Sequence, residues 1–454
     1  MRSPSAILQS PMNDHHRSRR EELARRLLAL DAKLPASSIG RLGRTAVAGL
    51  RGARLALRGK GAGEKPLDLE SLAALATSVG QLKGIAMKVG QLMSYLELPL
   101  PPELKATLAV LQTHSPPMPF ERVVEIVTAE LGKQAPPLLG QMSPSPVAAA
   151  SIGQVHRAKL PAGEDVAVKI QYPGMEAAIA SDFRSAALGT SFAKLLAPGA
   201  NVDAVVGEAR RALTEECDYE REARYQERFA RIYADHAVLV VPRVHPPYCS
   251  RRVLTTTWIE GLRFDDFLAT NPPQSERDRF GEALFEFYVG THFCHGLYNW
   301  DPHPGNYVVQ RDGRITMLDY GSTREFDRAF VRKLAALTRA AHTDTPDALH
   351  QALVDLGFVK EGQTYNFETA RKLVRSFYGP MLRDETLAIE SGDARPFGTV
   401  LDSKRELLKL HLPSEFIFIV RIRFGVMSVL AQLGARANWY RLERRFAESE
   451  FLLA

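Results

Sequence analysis

Two short segments constrain this chain more than anything else in it: Asp301-Pro-His-Pro-Gly-Asn306, and Asp319-Tyr320-Gly321, which begins 13 residues beyond Asn306. The D-x-x-x-x-N spacing sets a carboxylate and a carboxamide at opposite ends of one loop. The stretch between the segments carries strand signals at Tyr307–Gln310 and Thr316–Asp319 and reads as a β-hairpin. Asp and Asn are common turn residues, so either piece alone is a weak signal. Together they put three oxygen-bearing side chains at one cavity. Asp301 can orient or deprotonate an acceptor, while Asn306 and Asp319 can hold Mg²⁺ against phosphates. Phosphoryl transfer from ATP needs that set of groups.

Val166-Ala-Val-Lys169 places a lysine in an apolar strand. Such a lysine is costly unless its ammonium meets an anion. The α/β-phosphates of a nucleotide are one such anion, with an acidic residue from a helix fixing the Lys; the candidates lie in the helical pattern Glu215-Glu216-Cys-Asp218-Tyr-Glu220-Arg-Glu222. An edge-strand Lys in water is the plainer alternative. Just upstream, Val147-Ala148-Ala149-Ala150-Ser151-Ile-Gly153-Gln154-Val155 is a small-residue stretch. Small residues let a backbone approach phosphates closely, though Ala restricts φ where Gly would not. Lys88-Val-Gly90-Gln91 lies inside a long helical pattern, Leu67–Leu98. Gly in a helix interior costs about 1 kcal/mol against Ala, which points to close packing such as a helix–helix crossing.

Hydrophobic residues make up 45% of the 454 and charged residues 24%, an ordinary globular balance that makes a sizeable core available, with room for one large domain or two lobes plus a tail. Cys217, Cys249 and Cys294 stand far apart, which suggests neither disulfides nor a zinc knuckle. No apolar run reaches membrane-spanning length; the candidate around Phe416–Leu433 is interrupted by Arg421, Arg423 and Gln432. The net charge of +6 is uneven. Residues 1–60 hold 13 Lys+Arg and 4 Asp+Glu, so this tail carries +9 and the body −3. That distribution argues against a broad nucleic-acid groove and for local attachment to an anionic surface. Ile39, Leu42, Ala46, Leu50, Ala53 and Leu57 share one helical face and Arg44, Arg51, Arg54 and Arg58 another, a basic amphipathic pattern weakened by four glycines. Helical patterns at Glu103–Gln112, Phe120–Leu131, Met175–Leu196 and Val202–Tyr233 surround strand signals at Pro146–Leu160, Asp165–Gln171 and Val238–Ile259. From Ser275 onward the chain is mostly helical. The expected organisation is a basic tail (1–66), a helical extension with the Lys-x-Gly-Gln segment (67–135), a mixed small lobe (136–260) and a helical large lobe (261–454).

Taken together, these motifs resemble the UbiB/AarF/ADCK family of atypical kinases. The resemblance rests on Lys88-Val-Gly-Gln91, Ala148-Ala-Ala-Ser151-Ile-Gly-Gln-Val-His156, Glu216-Cys-Asp218, Asp301-Pro-His-Pro-Gly-Asn306 and Asp319-Tyr-Gly321. Lys169-Ile-Gln-Tyr-Pro-Gly174 and Asp319-Tyr-Gly-Ser-Thr-Arg-Glu325 look like the coenzyme Q biosynthesis branch. The resemblance implies an α+β, protein-kinase-like two-lobe fold. It implies that Lys169 binds the α/β-phosphates with Glu222 as partner, that Asn306 and Asp319 hold Mg²⁺, and that Asp301 is the catalytic carboxylate. Ala148, Ala149, Ala150 and Ser151 would cover the nucleotide. Lys88 and Gln91 would reach the nucleotide pocket across the site of a peptide substrate, with Glu216 and Asp218 as partners of Lys88. Two departures stand out: Trp300 replaces the small residue usual before the catalytic Asp, and the C-terminal hydrophobic hairpin of some bacterial relatives is missing. A helical pattern at Glu325–Ala341 follows Asp319 closely, leaving no long peptide-docking segment.

The functional expectation is therefore an ATP- and Mg²⁺-dependent kinase or ATPase supporting ubiquinone or other isoprenoid lipid metabolism. Its partners would be a nucleotide, an isoprenoid lipid or lipid-pathway proteins, and an anionic membrane through the tail, with no nucleic acid. It would be cytoplasmic, or peripheral on the inner membrane face. A nucleotide-regulated lipid-binding scaffold without turnover, and a small-molecule kinase, are the alternatives.

Overall fold

The computed structural model describes residues 117–150, 152–177, 179, 180, 207, 210, 211, 213–360, 362–393, 411, 413 and 415–449. The basic tail, the Leu67–Leu98 and Glu103–Gln112 patterns, most of Met175–Leu196, and Lys88, Gln91 and Ser151 lie outside these residues. The chain divides into two compact units. Of Met1–Pro117 with Gly174–Ala197, only Pro117 and a short piece near 175 are described; the other unit, Met118–Pro173 with Pro198–Ala454, holds everything that follows.

The small lobe is built on a four-stranded antiparallel sheet in the order β1-β2-β3-β5. Its strands are β1 (Ala148–Ala150), β2 (Gly153–Lys159), β3 (Asp165–Gln171) and β5 (Val253–Thr257). Alternation along β3 sends Val166, Val168 and Ile170 to one face, where they are fully buried, and turns Ala167 and Lys169 to the other. Helix α1 (Phe120–Leu131) covers the apolar face with Val123 and Val127, and a short α2 (Ala135–Leu139) adds Ala135 and Leu138. Phe120–Leu131, expected in the helical extension, thus packs on the small-lobe sheet instead, because its apolar stripe has its partner there.

A single helix over Val202–Tyr233 is not what forms. The chain turns at Cys217–Asp218 and restarts as α3 (Tyr219–Ile232). Asp218 sits in extended geometry and its carboxylate accepts the Arg221 N–H at 2.9 Å, an N-cap that ends one helix and starts the next. Helix α3 buries Tyr219, Glu222, Ala223, Gln226 and Phe229, the i, i+3, i+4, i+7 stripe of an amphipathic helix.

A second sheet, ordered β4-β9-β8-β6, opens the large lobe. It comprises β4 (Leu239–Val240), β6 (Leu262–Arg263), β8 (Tyr307–Val309) and β9 (Ile315–Met317). Leu239–Val240, read with the small-lobe strands from sequence, pairs in parallel with β9 instead. A two-stranded pair joins β7 (Leu297–Asn299) to β10 (Thr323–Glu325). Around them lie α4 (Phe264–Ala269), α5 (Gln274–Phe285), a π turn (Glu286–Gly290), α6 (Thr291–His295), α7 (Arg328–Thr343), α8 (Pro346–Asp355), α9 (Phe367–Tyr378), α10 (Phe416–Leu433) and α11 (Trp439–Ala447). A further pair, β11 (Leu387–Ala388) with β12 (Arg436–Ala437), ties the last helices together. One large aromatic-rich core runs from Phe229 of α3 to Phe446 of α11. The architecture is the α+β, two-lobed protein-kinase-like arrangement.

Candidate active site

The site assembles at the mouth of a cleft of about 240 Å³ between the two sheets. Val147, Ala148, Val155 and Ala167 line it from the small lobe, Val308 and Leu318 from the large lobe, and the Thr256–Gly261 connection closes one side. Val147 and Leu318 are 44% and 40% exposed, two of the three large hydrophobics exposed among the described residues. Facing a common cleft from opposite lobes, they offer an apolar slot suited to a flat aromatic ligand.

Lys169 reaches the cleft from β3. Its ammonium donates to both Glu222 carboxylate oxygens, at 2.9 and 3.0 Å, and lies 3.8 Å from Asp319 Oδ2 and 4.9 Å from the Tyr219 ring. Burial opposes the ammonium charge, yet the Asp319 and Glu222 carboxylates outweigh it and hold its pKa well above the ordinary value. Burial pushes the Glu222 carboxyl up to about 6 against the pull of Lys169, and Asp319 adds to the rise. The two shifts differ in cause: burial raises Glu222 against the attraction of Lys169, whereas the carboxylates raise Lys169 against burial. Gly321 packs so closely here that a Cβ would stand 3.2 Å from a Glu222 oxygen and 3.3 Å from an Asp319 oxygen.

The β8–β9 hairpin sets the spacing of the other groups. Its register pairs Tyr307 with Met317, and the Leu318 N–H extends the ladder to the Asn306 carbonyl at 2.9 Å, so Asn306 and Asp319 emerge at the same end. Asn306 Nδ2 donates to the Asp301 carbonyl at 3.1 Å and to Asp301 Oδ2 at 3.3 Å. The Asp319 carboxylate accepts the Gly321 N–H at 2.8 Å and remains 32% exposed. Among the described residues no three His, Cys, Asp or Glu side chains gather as a metal cage. One carboxylate and one amide oxygen suit Mg²⁺, which takes few protein ligands and completes its shell with phosphate oxygens and water. The surplus carboxylate beside Lys169 fits the same ion.

Three supports escaped the sequence reading. Asn299 bridges the two functional loops: its Nδ2 donates to the Asp319 carbonyl at 2.8 Å and its Oδ1 accepts the Asp301 N–H at 3.0 Å. Arg221 donates to the Thr323 carbonyl at 2.6 Å and the Gly321 carbonyl at 3.4 Å, fastening the start of α3 to the segment after Asp319. Arg421 of α10 pairs with Asp301 at 2.7 Å. Of the three, Asn299 lies nearest in sequence, at the end of β7 and two residues before Asp301.

The remaining expected residues fall as follows. Ala148–Ala150 form strand β1 rather than a free loop, paired with Val155, Gln154 and Gly153, and among them only Ala148 lines the cleft. Glu216 is buried and accepts the Ser322 hydroxyl at 3.4 Å; Asp218 caps α3. Gln154 and His156 are buried together: Gln154 bonds the main chain of Met118, and His156 bonds the Ser143 carbonyl at 2.7 Å. Burial pushes the His156 pKa down, so the imidazole is neutral and structural. Trp300 is 2% exposed and Asp301 8%. After β10 only Phe326 and Asp327 precede α7, and no long docking segment intervenes.

Residues 110–353 of this chain match the ABC1 atypical kinase-like domain family. The mitochondrial atypical kinase COQ8 of Saccharomyces cerevisiae is 29% identical over 378 residues, covering 81% of this chain and 74% of the relative. AarF domain-containing protein kinase 1 of Xenopus tropicalis is 28% identical over 369 residues, covering 78% and 69%. The solved structure of Rv3197 with erythromycin, from Mycobacterium tuberculosis, is 28% identical with a TM-score of 0.60, covering 84% of this chain and 97% of that one. The chain belongs to the ABC1 atypical kinase-like family, which also carries the names UbiB, AarF and ADCK.

Proposed function

We propose that this atypical kinase binds ATP with Mg²⁺ in the interlobe cleft and transfers or hydrolyses its terminal phosphate in support of ubiquinone or other isoprenoid lipid metabolism. The observation that carries the reading is the Lys169 ammonium, set between Glu222 and Asp319 at the mouth of an apolar slot. The slot takes the base, Lys169 meets the α/β-phosphates, and Glu222 fixes the Lys rotamer. Asp319 and the Asn306 amide oxygen would hold Mg²⁺, which neutralises charge on the β- and γ-phosphates. Asp301 orients the acceptor, a hydroxyl or a water. By the family resemblance alone, Ala148–Ser151 would cover the phosphates and Lys88 and Gln91 would reach the nucleotide with Glu216 and Asp218 as partners of Lys88; Lys88, Gln91 and Ser151 lie outside the described residues.

The short passage from Asp319 to α7 supports a small-molecule or lipid acceptor over a peptide. The lipid assignment draws on the likeness to COQ8, and attachment to an anionic surface on the +9 charge of residues 1–60. Among the described residues no helix is long and apolar enough to cross a membrane; the proposed location, in the cytoplasm or peripheral on the inner membrane face, rests on the charge of residues 1–60. The likeness to a protein solved with erythromycin keeps a small-molecule kinase as the second reading.

The test is Mg²⁺-ATP turnover by the purified full chain, with and without anionic liposomes or an isoprenoid precursor, beside Asp319→Asn. Turnover stimulated by lipid and lost in the variant supports the proposal. Nucleotide binding with equal, negligible turnover in both proteins favours a scaffold, and label on a macrolide favours the second reading.

A further inference from the structure

The loop Asp301-Pro-His-Pro-Gly-Asn306 contains no Lys or Arg, yet Asp301 has a cation against it. That cation arrives from 120 residues away. Arg421 of α10 donates through Nη2 to Asp301 Oδ1 at 2.7 Å and through Nε to the Trp300 carbonyl at 2.6 Å. Its guanidinium lies 4.4 Å from the centre of the Trp300 ring. The side chains of Arg421 and Asp301 are only 7% and 11% exposed.

The contact is a two-point clamp. One arm of the fork holds the peptide that leads into Asp301, and the other holds its carboxylate. Asn306 binds the second carboxylate oxygen, so Asp301 is held from both sides. One turn along α10, Gly425 lies so near Pro302 that a Cβ there would stand 2.3 Å from its Cγ, so the helix crosses the loop at backbone distance. Trp300, the departure noted in the sequence, supplies the flat shelf on which the guanidinium stacks. Stacking and forked bonding suit Arg and not Lys, whose ammonium is a point charge.

Arg423, two residues on, sets the contrast. It pairs with the fully buried Glu443 between the rings of Phe377 and Tyr378. Its recorded partners hold α10 to α11 and α9, whereas those of Arg421 hold α10 to the functional loop.

We infer that Arg421 is a positioning residue for the reaction proposed above, acting through Asp301 on the chemical step and not on nucleotide binding. The inference rests on that reading of Asp301. Misplacing a reacting group by about 1 Å costs roughly 100-fold in rate, and Arg421 is the cation that holds the Asp301 carboxylate, opposite Asn306.

The experiment compares wild type, Arg421→Lys, Arg421→Ala, Asp301→Asn and the Arg421→Lys/Asp301→Asn double variant as full chains. It measures Mg²⁺-ATP turnover, binding of Mg²⁺-ADP, thermal melting, and recovery by millimolar guanidinium. Arg421→Lys is expected to melt and bind Mg²⁺-ADP like wild type while kcat falls roughly 100-fold. The double variant is expected to be no slower than Asp301→Asn, because both changes act on one group. Guanidinium should restore part of the turnover of Arg421→Ala and none of that of Asp301→Asn. Unchanged kcat in Arg421→Lys, additive losses in the double variant, or loss of fold in both Arg421 variants without recovery by guanidinium would each overturn the inference. A wild type that binds nucleotide but never turns it over overturns the proposed function itself, and this role with it.

Discussion

The two halves of the site are held by different means. On the Lys169 side the functional groups hold one another: the ammonium meets Glu222 directly and Asp319 at 3.8 Å, and all three sit on regular elements or their ends. On the Asp301 side the functional carboxylate is held by Asn306 at the other end of its loop and also by residues with no reacting role, Asn299 two positions before it and Arg421 far down the chain. The first half is a charge cluster in which the functional groups are one another's partners; in the second, supporting side chains set the functional group. The comparison teaches that residues doing chemistry and residues fixing geometry need not come from the same stretch of chain, and that only the former leave local marks in a sequence.

The comparison breaks hardest at Asp319. Exchanging it for Asn removes the anionic oxygen 3.8 Å from the Lys169 ammonium and is expected to leave the fold alone, since the side chain is 32% exposed. Mg²⁺-ATP turnover is expected to fall about 10³-fold, equivalent to ~4 kcal/mol of barrier, with melting unchanged. Steady-state assays with Mg²⁺ in excess check this. Retention of a tenth of wild-type activity would take Asp319 out of the metal site.

Glu222→Gln separates function from stability on the same side. Turnover is expected to drop about 10²-fold as Lys169 loses its anchoring charge. Stability is expected to move the other way. Burial pushes Glu222 up to about 6, above its ordinary 4.5. A proton is therefore held more firmly in the folded chain than in the unfolded one, and burying the ionised carboxylate is a cost at neutral pH. Because the folded pKa is the higher one, wild-type stability rises as pH falls from about 6 toward 4.5. Without nucleotide, the variant should melt above wild type at pH 7, and the gap should close through that window. A variant that melts lower at pH 7 would show that the Lys169 pairing outweighs the burial cost.

Much of the first half was legible because short-range rules place it. Alternation along Asp165–Gln171 turns Lys169 away from Val166, Val168 and Ile170, and the spacing of the two motifs implies the hairpin that sets Asn306 beside Asp319. The helix boundary at Asp218 was missed because an acidic run reads as helix until its side chain is seen capping. The second half was illegible for a different reason. Arg421 and Arg423 look, in sequence, like interruptions of an apolar stretch, and hydropathy registers only their cost. Their partners, Asp301 and Glu443, lie 120 and 20 residues away, and no periodicity links them. Lys88, Gln91 and Ser151 lie outside the described residues, so their expected places rest on the resemblance.

The finest test of the comparison uses one glycine from each half. At Gly425 an added Cβ would meet Pro302 Cγ at 2.3 Å, a separation real side chains do not tolerate, and the ring cannot swing aside without moving the functional loop. At Gly321 the nearest atoms stand 3.2 and 3.3 Å away and are carboxylate oxygens at the ends of side chains, which can yield by a few tenths of an ångström. Gly425→Ala should therefore behave as overpacking, destabilising by about 1–3 kcal/mol, and should slow turnover about tenfold as Asp301 is displaced. Gly321→Ala should cost no more than about threefold in turnover with little change in melting, since rearranging a flexible carboxylate is cheaper than moving a packed loop. Melting curves and kcat for the two variants side by side decide the matter. If Gly321→Ala proves the more damaging, the Lys169 cluster is the rigid half, and the division drawn between the two sides is reversed.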